Sequence, residues 1–170
     1  MNHRVNRTLR LCRHLFHYSL TMLSVFGYAA SDALRAEGSL NAGLLDQRLG
    51  LEWIKENIEY FGGDPDNITI FGESEGALTV GLHALAYGGQ NQAPFNKAVM
   101  QSGGPTGNFG ITGNISAVHS QAIAQRTNCT SSNTTSVETL ACLRNIPMQQ
   151  LLDVVIQYEA EVNPLGLHVL

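Results

Sequence analysis

From about residue 41 the apolar positions Leu44, Leu51, Ile54, Ile58 and Phe61 recur at helical spacings, with Glu52, Lys55, Glu56 and Glu59 between them. That pattern predicts one helix with one face toward a core. Asn41 stands where an N-cap belongs, and Gly62-Gly63 followed by Pro65 supplies the stop. Trp53 lies beside the stripe and reads as core packing. The next run, Asn67 to Phe71, is short, apolar and β-branched between turn residues, the pattern of a strand buried on both faces. A helix-compatible run then extends to about Ala86 and breaks at Gly88-Gly89. Lys97 to Gln101 reads as another strand, closed by Ser102-Gly103-Gly104-Pro105. With the apolar stretch near residues 23–28 counted as a strand, the order is strand, helix, strand, helix, strand. This alternation predicts an α/β fold with a mostly parallel sheet and flanking helices. Beyond residue 112 the spacing predicts helices at about 115–127, 136–145 and 147–160, with no new strand.

Between the first predicted strand of this pair and its helix lies Gly72-Glu73-Ser74-Glu75-Gly76. A glycine-rich turn whose hydroxyl caps the next helix would use the same residues. The β-rich run before it and the helix-compatible run after it are, however, what the G-x-S-x-G nucleophile elbow requires. In that arrangement the serine sits on a sharp turn between strand and helix, so the flanking positions Gly72 and Gly76 must be small. The following helix directs backbone N–H groups and its positive dipole end toward charge developing near Ser74. Its place at the carboxyl end of a parallel strand is where α/β proteins bind ligands.

Length and charge narrow the classes. A chain of 170 residues suits one ordinary domain. A net charge of -4 with 14% charged residues gives no basic patch, which argues against nucleic-acid binding. No apolar segment approaches the roughly 18 residues of a membrane span. Arg4, Arg7, Arg10 and Arg13 ahead of the apolar stretch Leu20 to Ala30 imitate a signal peptide, although His14, His17 and Tyr18 interrupt the approach. The competing reading places residues 23–28 inside the domain as a buried strand.

Cys129 and Cys142 flank the polar loop Thr130 to Ser136. Two free thiols and a disulfide are both open at this point; a disulfide would stabilise by about 3 kcal/mol and would require an oxidising compartment. Cys12 has no evident partner, and three scattered cysteines make no metal site. No cofactor is implied. Sequons for N-glycosylation begin at Asn6, Asn67, Asn114, Asn128 and Asn133, which agrees with a secreted glycoprotein.

Three blocks carry a family resemblance. They are Asn-Ala-Gly-Leu-Leu-Asp-Gln-Arg-Leu-Gly-Leu-Glu-Trp-Ile-Lys-Glu-Asn-Ile from Asn41, Phe-Gly-Gly-Asp-Pro-Asp-Asn-Ile-Thr-Ile-Phe-Gly-Glu-Ser from Phe61, and Gln-Ser-Gly-Gly-Pro from Gln101. In order and spacing the chain resembles the type-B carboxylesterases, the cholinesterase and fungal lipase-like branch of the α/β-hydrolases, from about Leu23 to Asn163. The resemblance implies a partial α/β-hydrolase fold over residues 23–170, with residues 1–22 unassigned, and it places Ser24 to Tyr28 inside the domain. It implies that Ser74 is the nucleophile, that the Glu75 backbone N–H is an oxyanion donor, and that Cys129 and Cys142 pair. The implied activity is hydrolysis of carboxylic or lipid esters through an acyl-enzyme.

Two departures qualify that expectation. The family's acid and histidine lie well over a hundred residues past the serine, and its glycine-rich oxyanion loop precedes it. Neither resembles any block here. His119 and His168, with Glu138, Asp153, Glu159 and Glu161, read as surface groups, and His83 lies too far along its helix to reach Ser74. The expectation is therefore a truncated chain, inactive alone, with a non-catalytic binding or adhesion protein as the alternative. The second departure is Glu75, where the family most often has alanine. A carboxylate there opposes a developing oxyanion unless it turns to a cation or is protonated. Glu73 matches the family and reads as buried behind the turn.

Overall fold

The computed structural model describes residues 24–89, 93–106, 113–129 and 136–162. The N-terminal segment 1–22, Cys12, His168 and the sequons at Asn6 and Asn133 lie outside the described residues. Two strands, β1 (Thr69–Glu73) and β2 (Lys97–Gln101), pair in parallel, from Thr69 opposite Lys97 to Glu73 opposite Gln101. They are joined through helix α4 (Glu75–Leu85), which packs on both. Parallel neighbours need such a crossover, and the strand–turn–helix run of apolar residues supplies it.

The expected third strand is absent among the described residues. Residues Ser24–Tyr28 form a short helix, α1, followed by α2 (Asp32–Ala36) and α3 (Ala42–Asn57). A strand needs a neighbour to receive its N–H and C=O groups, and β1 and β2 pair only with each other here. Helical bonds satisfy the same groups locally. Burial on both faces is likewise not observed. In β1 only Ile70 and Gly72 are buried and every residue of β2 is exposed. Helix α4 covers one face, while Phe71 and Val99, register partners on the other, are 62% and 42% exposed.

Helix α3 spans the predicted segment, but its attachment differs. Leu44, Leu51, Ile54 and Ile58 are half-buried, Phe61 is exposed, and the buried positions are Gly43 and Arg48. Trp53 is half exposed and lies tilted against Phe61 rather than in a core. Asn41 precedes the helix in a left-handed conformation (φ 59°) with no side-chain cap. The tie from α3 to α4 is polar, through Gln47 and the buried His83. Gly62, at φ 81°, ends the single 3-10 turn that follows α3, as its lack of a side chain permits.

Three further helices, α5 (Gly113–Arg126), α6 (Val137–Arg144) and α7 (Met148–Val162), fall where the periodicity predicts them. Leu151, Val154, Val155 and Tyr158 repeat along α7 at helical spacing. Val155 and Tyr158 bury against Ile123 of α5, with Val25 of α1 joining the cluster. Ser136 caps α6 by accepting from the Thr139 N–H at 3.2 Å, and Ser31 caps α2 from Leu34 at 3.1 Å. A disulfide joins Cys129, just past α5, to Cys142 on α6, with Cα atoms 5.5 Å apart. Arg144 pairs bidentately with Glu37 and Arg126 with Glu161.

Candidate active site

Between β1 and α4 the chain turns within a single residue. Ser74 adopts φ 54° and ψ -116°, a region that non-glycine residues rarely occupy and that costs on the order of 1–3 kcal/mol. Its surroundings hold it there. The Ser74 N–H donates to the Gln101 carbonyl at 2.9 Å, tying the turn to the end of β2, and the Ser74 carbonyl accepts from Ala77 at 3.0 Å and Leu78 at 3.2 Å. The Ser74 side chain caps nothing on the helix it precedes and is exposed.

The two motif glycines are not equivalent. A Cβ on Gly72 would lie 2.2 Å from both the backbone carbon and the oxygen of Gly76, so the strand and the helix approach too closely for any side chain at 72. A Cβ on Gly76 would meet nothing within 4 Å. What the turn needs from Gly76 is its backbone, not its missing side chain. Two glycines outside the motif carry the same kind of constraint. A Cβ on Gly103 would fall 2.7 Å from the Ser74 carbonyl oxygen, and one on Gly81 would fall 2.7 Å from the Pro105 ring. The segment from Ser102 to Pro105, with Ser102 itself at φ 56°, thus lies against the turn at Gly103 and against the middle of α4 at Pro105. In the sequence this segment reads as a strand stop and as one block of the family resemblance; its place beside the serine turn follows from neither.

Glu75 opens α4 and is exposed. No cation faces it in an ion pair among the described residues. Its neighbour is Tyr28, whose hydroxyl is held above its ordinary value by burial first, then by the Glu75 and Asp46 carboxylates. Glu73 is exposed at the end of β1, not buried behind the turn, because its side of the sheet is the uncovered one. The N–H groups of Glu75 and Gly76 precede those bonded to Ser74 and have no acceptor within the helix.

Both histidines among the described residues have other partners. His83 Nε2 lies 2.9 Å from Gln47 Oε1. Burial, and then the charge of Arg48, hold the imidazole below its ordinary value, so it is neutral at pH 7. His119 is half-buried rather than on the surface, with Nδ1 2.7 Å from the Tyr158 hydroxyl. Of the acids, Glu161 accepts from Arg126 and Asp153 from Gln149, both exposed. Glu138 is exposed in the first turn of α6, where hydrogen bonding lowers its pKa. Glu159 is half-buried. No group of three or more His, Cys, Asp or Glu among the described residues is placed to hold a metal. No described helix is long and apolar enough to cross a membrane.

A parallel strand pair that presents an exposed serine at the start of its crossover helix defines an α/β protein with a hydroxyl at its site. The carboxylesterase family profile matches residues 22–167, and the chain belongs to that family. It is 43% identical over 147 residues to the inactive carboxylesterase-like protein VdtD of Byssochlamys spectabilis, covering 85% of this chain and 25% of that protein. It is 44% identical over 141 residues to a secreted lipase of Arthroderma benhamiae, covering 82% and 25%. Against lipase 1 of Geotrichum candidum the identity is 47% over 124 residues, covering 71% and 22%. The chain thus spans about a quarter of the length of the relatives it matches.

Proposed function

We propose that Ser74 is the nucleophile of a serine carboxylesterase or lipase. The observation that carries this is the strained backbone of Ser74, held by a close approach that only glycine at 72 permits. A turn that costs energy and exposes a hydroxyl fits a functional site better than a connection. In this reading the Ser74 Oγ attacks an ester carbonyl while its proton passes to a base. The oxyanion accepts from the Glu75 N–H, the alcohol leaves, and water releases the acid. The turn is then a nucleophile elbow, and the ester's acyl and alcohol parts stay unassigned.

The base and its orienting carboxylate are assigned to no described residue, since His83 and His119 are engaged elsewhere. The 170-residue chain by itself is therefore proposed to hydrolyse esters negligibly, because removing a base costs several powers of ten. The disulfide and the secreted relative support an extracellular or secretory location. A second reading, a non-catalytic binding or adhesion protein, is favoured by Glu75. It directly follows the serine in the chain, its carboxylate acts on Tyr28 and has no cation paired with it among the described residues, and one relative is named inactive.

A fluorophosphonate probe with a chromogenic ester separates these readings. The chain alone is expected to show turnover near the uncatalysed rate and slow labelling. Rapid labelling that vanishes in Ser74→Ala would show that this chain carries its own base. In a chain of the relatives' length, Ser74→Ala is expected to lower kcat by several powers of ten. A full-length chain with no turnover and no labelling would establish the binding protein.

A further inference from the structure

We propose that Asn67 carries an N-linked oligosaccharide, an inference that rests on the secretory location proposed above. Asn67, Ile68 and Thr69 form a sequon in the turn that leads into β1. Asn67 and Thr69 are both exposed. The backbone of the turn is already committed: the Asn67 N–H donates to the Asp64 carbonyl at 3.0 Å, and the Ile68 N–H donates to Asn96 Oδ1 at 3.0 Å.

The amide of Asn67 is engaged on one side only. Lys97 Nζ donates to its oxygen at 2.6 Å. An ammonium has protons and no acceptor, so the atom it meets is Oδ1, and the amide nitrogen is left pointing away from that contact. The transfer alters that nitrogen alone. Sugar C1 bonds to Nδ2 as the C1–O bond to a lipid-linked diphosphate breaks, the diphosphate leaves with the electron pair, and Nδ2 loses one proton. The Lys97 contact survives in the product, because Oδ1 is untouched.

Position on the sheet favours the same residue. Asn67 precedes β1 and Ser74 follows it, so the two lie at opposite ends of a five-residue strand, roughly 17 Å long. A bulky polar glycan at the amino end leaves the serine accessible. The sequon at Asn128 is placed differently. Asn128 is held at φ 55° with its N–H on the Gln125 carbonyl, and the central residue of its sequon, Cys129, is buried and disulfide-bonded.

The test is expression of the full chain behind a cleavable secretion leader in yeast. Peptide N-glycosidase treatment of the undenatured protein in 18O-water, with peptide mass spectrometry, then reads each sequon. The expected result is 18O-labelled Asp at position 67. Asn67→Gln and Thr69→Ala should lose that glycan, and Thr69→Ser should keep it. An unmodified Asn67 in the leader-bearing chain overturns the proposal, whatever the other sequons carry. Immunoblotting the medium and the cell fractions of the source cells tests the secretory reading separately: if the native protein is found only in the cytosol, that reading fails, while 18O-labelled Asp at position 67 in the leader-bearing chain leaves the site standing.

Discussion

The strand–turn–helix unit around Ser74 and the three-helix unit of α5 to α7 are held in different ways. In the helical unit Ile123 and Val155 are each 2% exposed and pack with Tyr158, a serine caps α6, and a disulfide ties α5 to α6. Around Ser74 the constraint is close backbone approach at Gly72 and Gly103, with Gly81 of α4 against the Pro105 ring, while Phe71 and Val99 face outward. The first kind of stability tolerates repacking, because side chains can shift. The second does not, because backbone atoms meeting a new Cβ have nowhere to move. A site that must hold one serine in a costly conformation is better served by the second kind.

The sharpest way to break this comparison is Gly72→Ala. One added methyl, 2.2 Å from the Gly76 backbone, is expected to destabilise by about 3 kcal/mol or more. Urea denaturation reads the loss, and Gly76→Ala, with open space, should cost far less. Equal losses at the two positions would remove the distinction between the two glycines.

A smaller effect sharpens the contrast between closed and open apolar surface. Ile123→Ala should cost about 3 kcal/mol through lost burial and a cavity. Phe71→Ser, on the uncovered face, should stay within about 0.5 kcal/mol. A large loss at Phe71 would mean that some part of the chain covers that face.

The smallest expected effect is a pH dependence at the junction of α3 and α4. His83 has its folded pKa below the unfolded value of about 6.5, so the unfolded state binds protons first as pH falls. Its contribution to stability is therefore complete above that value. It is lost as pH drops from about 6.5 toward the lower folded value. His83→Gln should flatten the urea midpoint between pH 7.5 and 5. An unchanged slope would show that His83 titrates alike in both states.

Much of the helix content was legible, because periodic apolar positions and stops act locally. The bounds of α4 to α7 follow from Gly88-Gly89, Ser136 and the 3.6-residue spacing. The apolar run near residues 23–28 folds as helix over Ser24–Tyr28 instead of the expected strand, since a run that short fits either until its neighbours are known. Trp53, Glu73 and the α3 stripe failed for one reason. Their burial depends on what covers the sheet and on the polar Gln47–His83 tie, and neither follows from spacing along the chain.

By itself the sequence determined the family, the serine motif and the order of most elements, because these rest on local spacing and on blocks read in a line. Only the tertiary structure decided which glycine the turn requires, that Gly103 closes against it and Pro105 against Gly81 of α4, and that His83 and His119 are engaged away from Ser74. Those facts depend on distances between residues far apart in the chain, which come into being when β2 docks beside β1 and α4 folds across them.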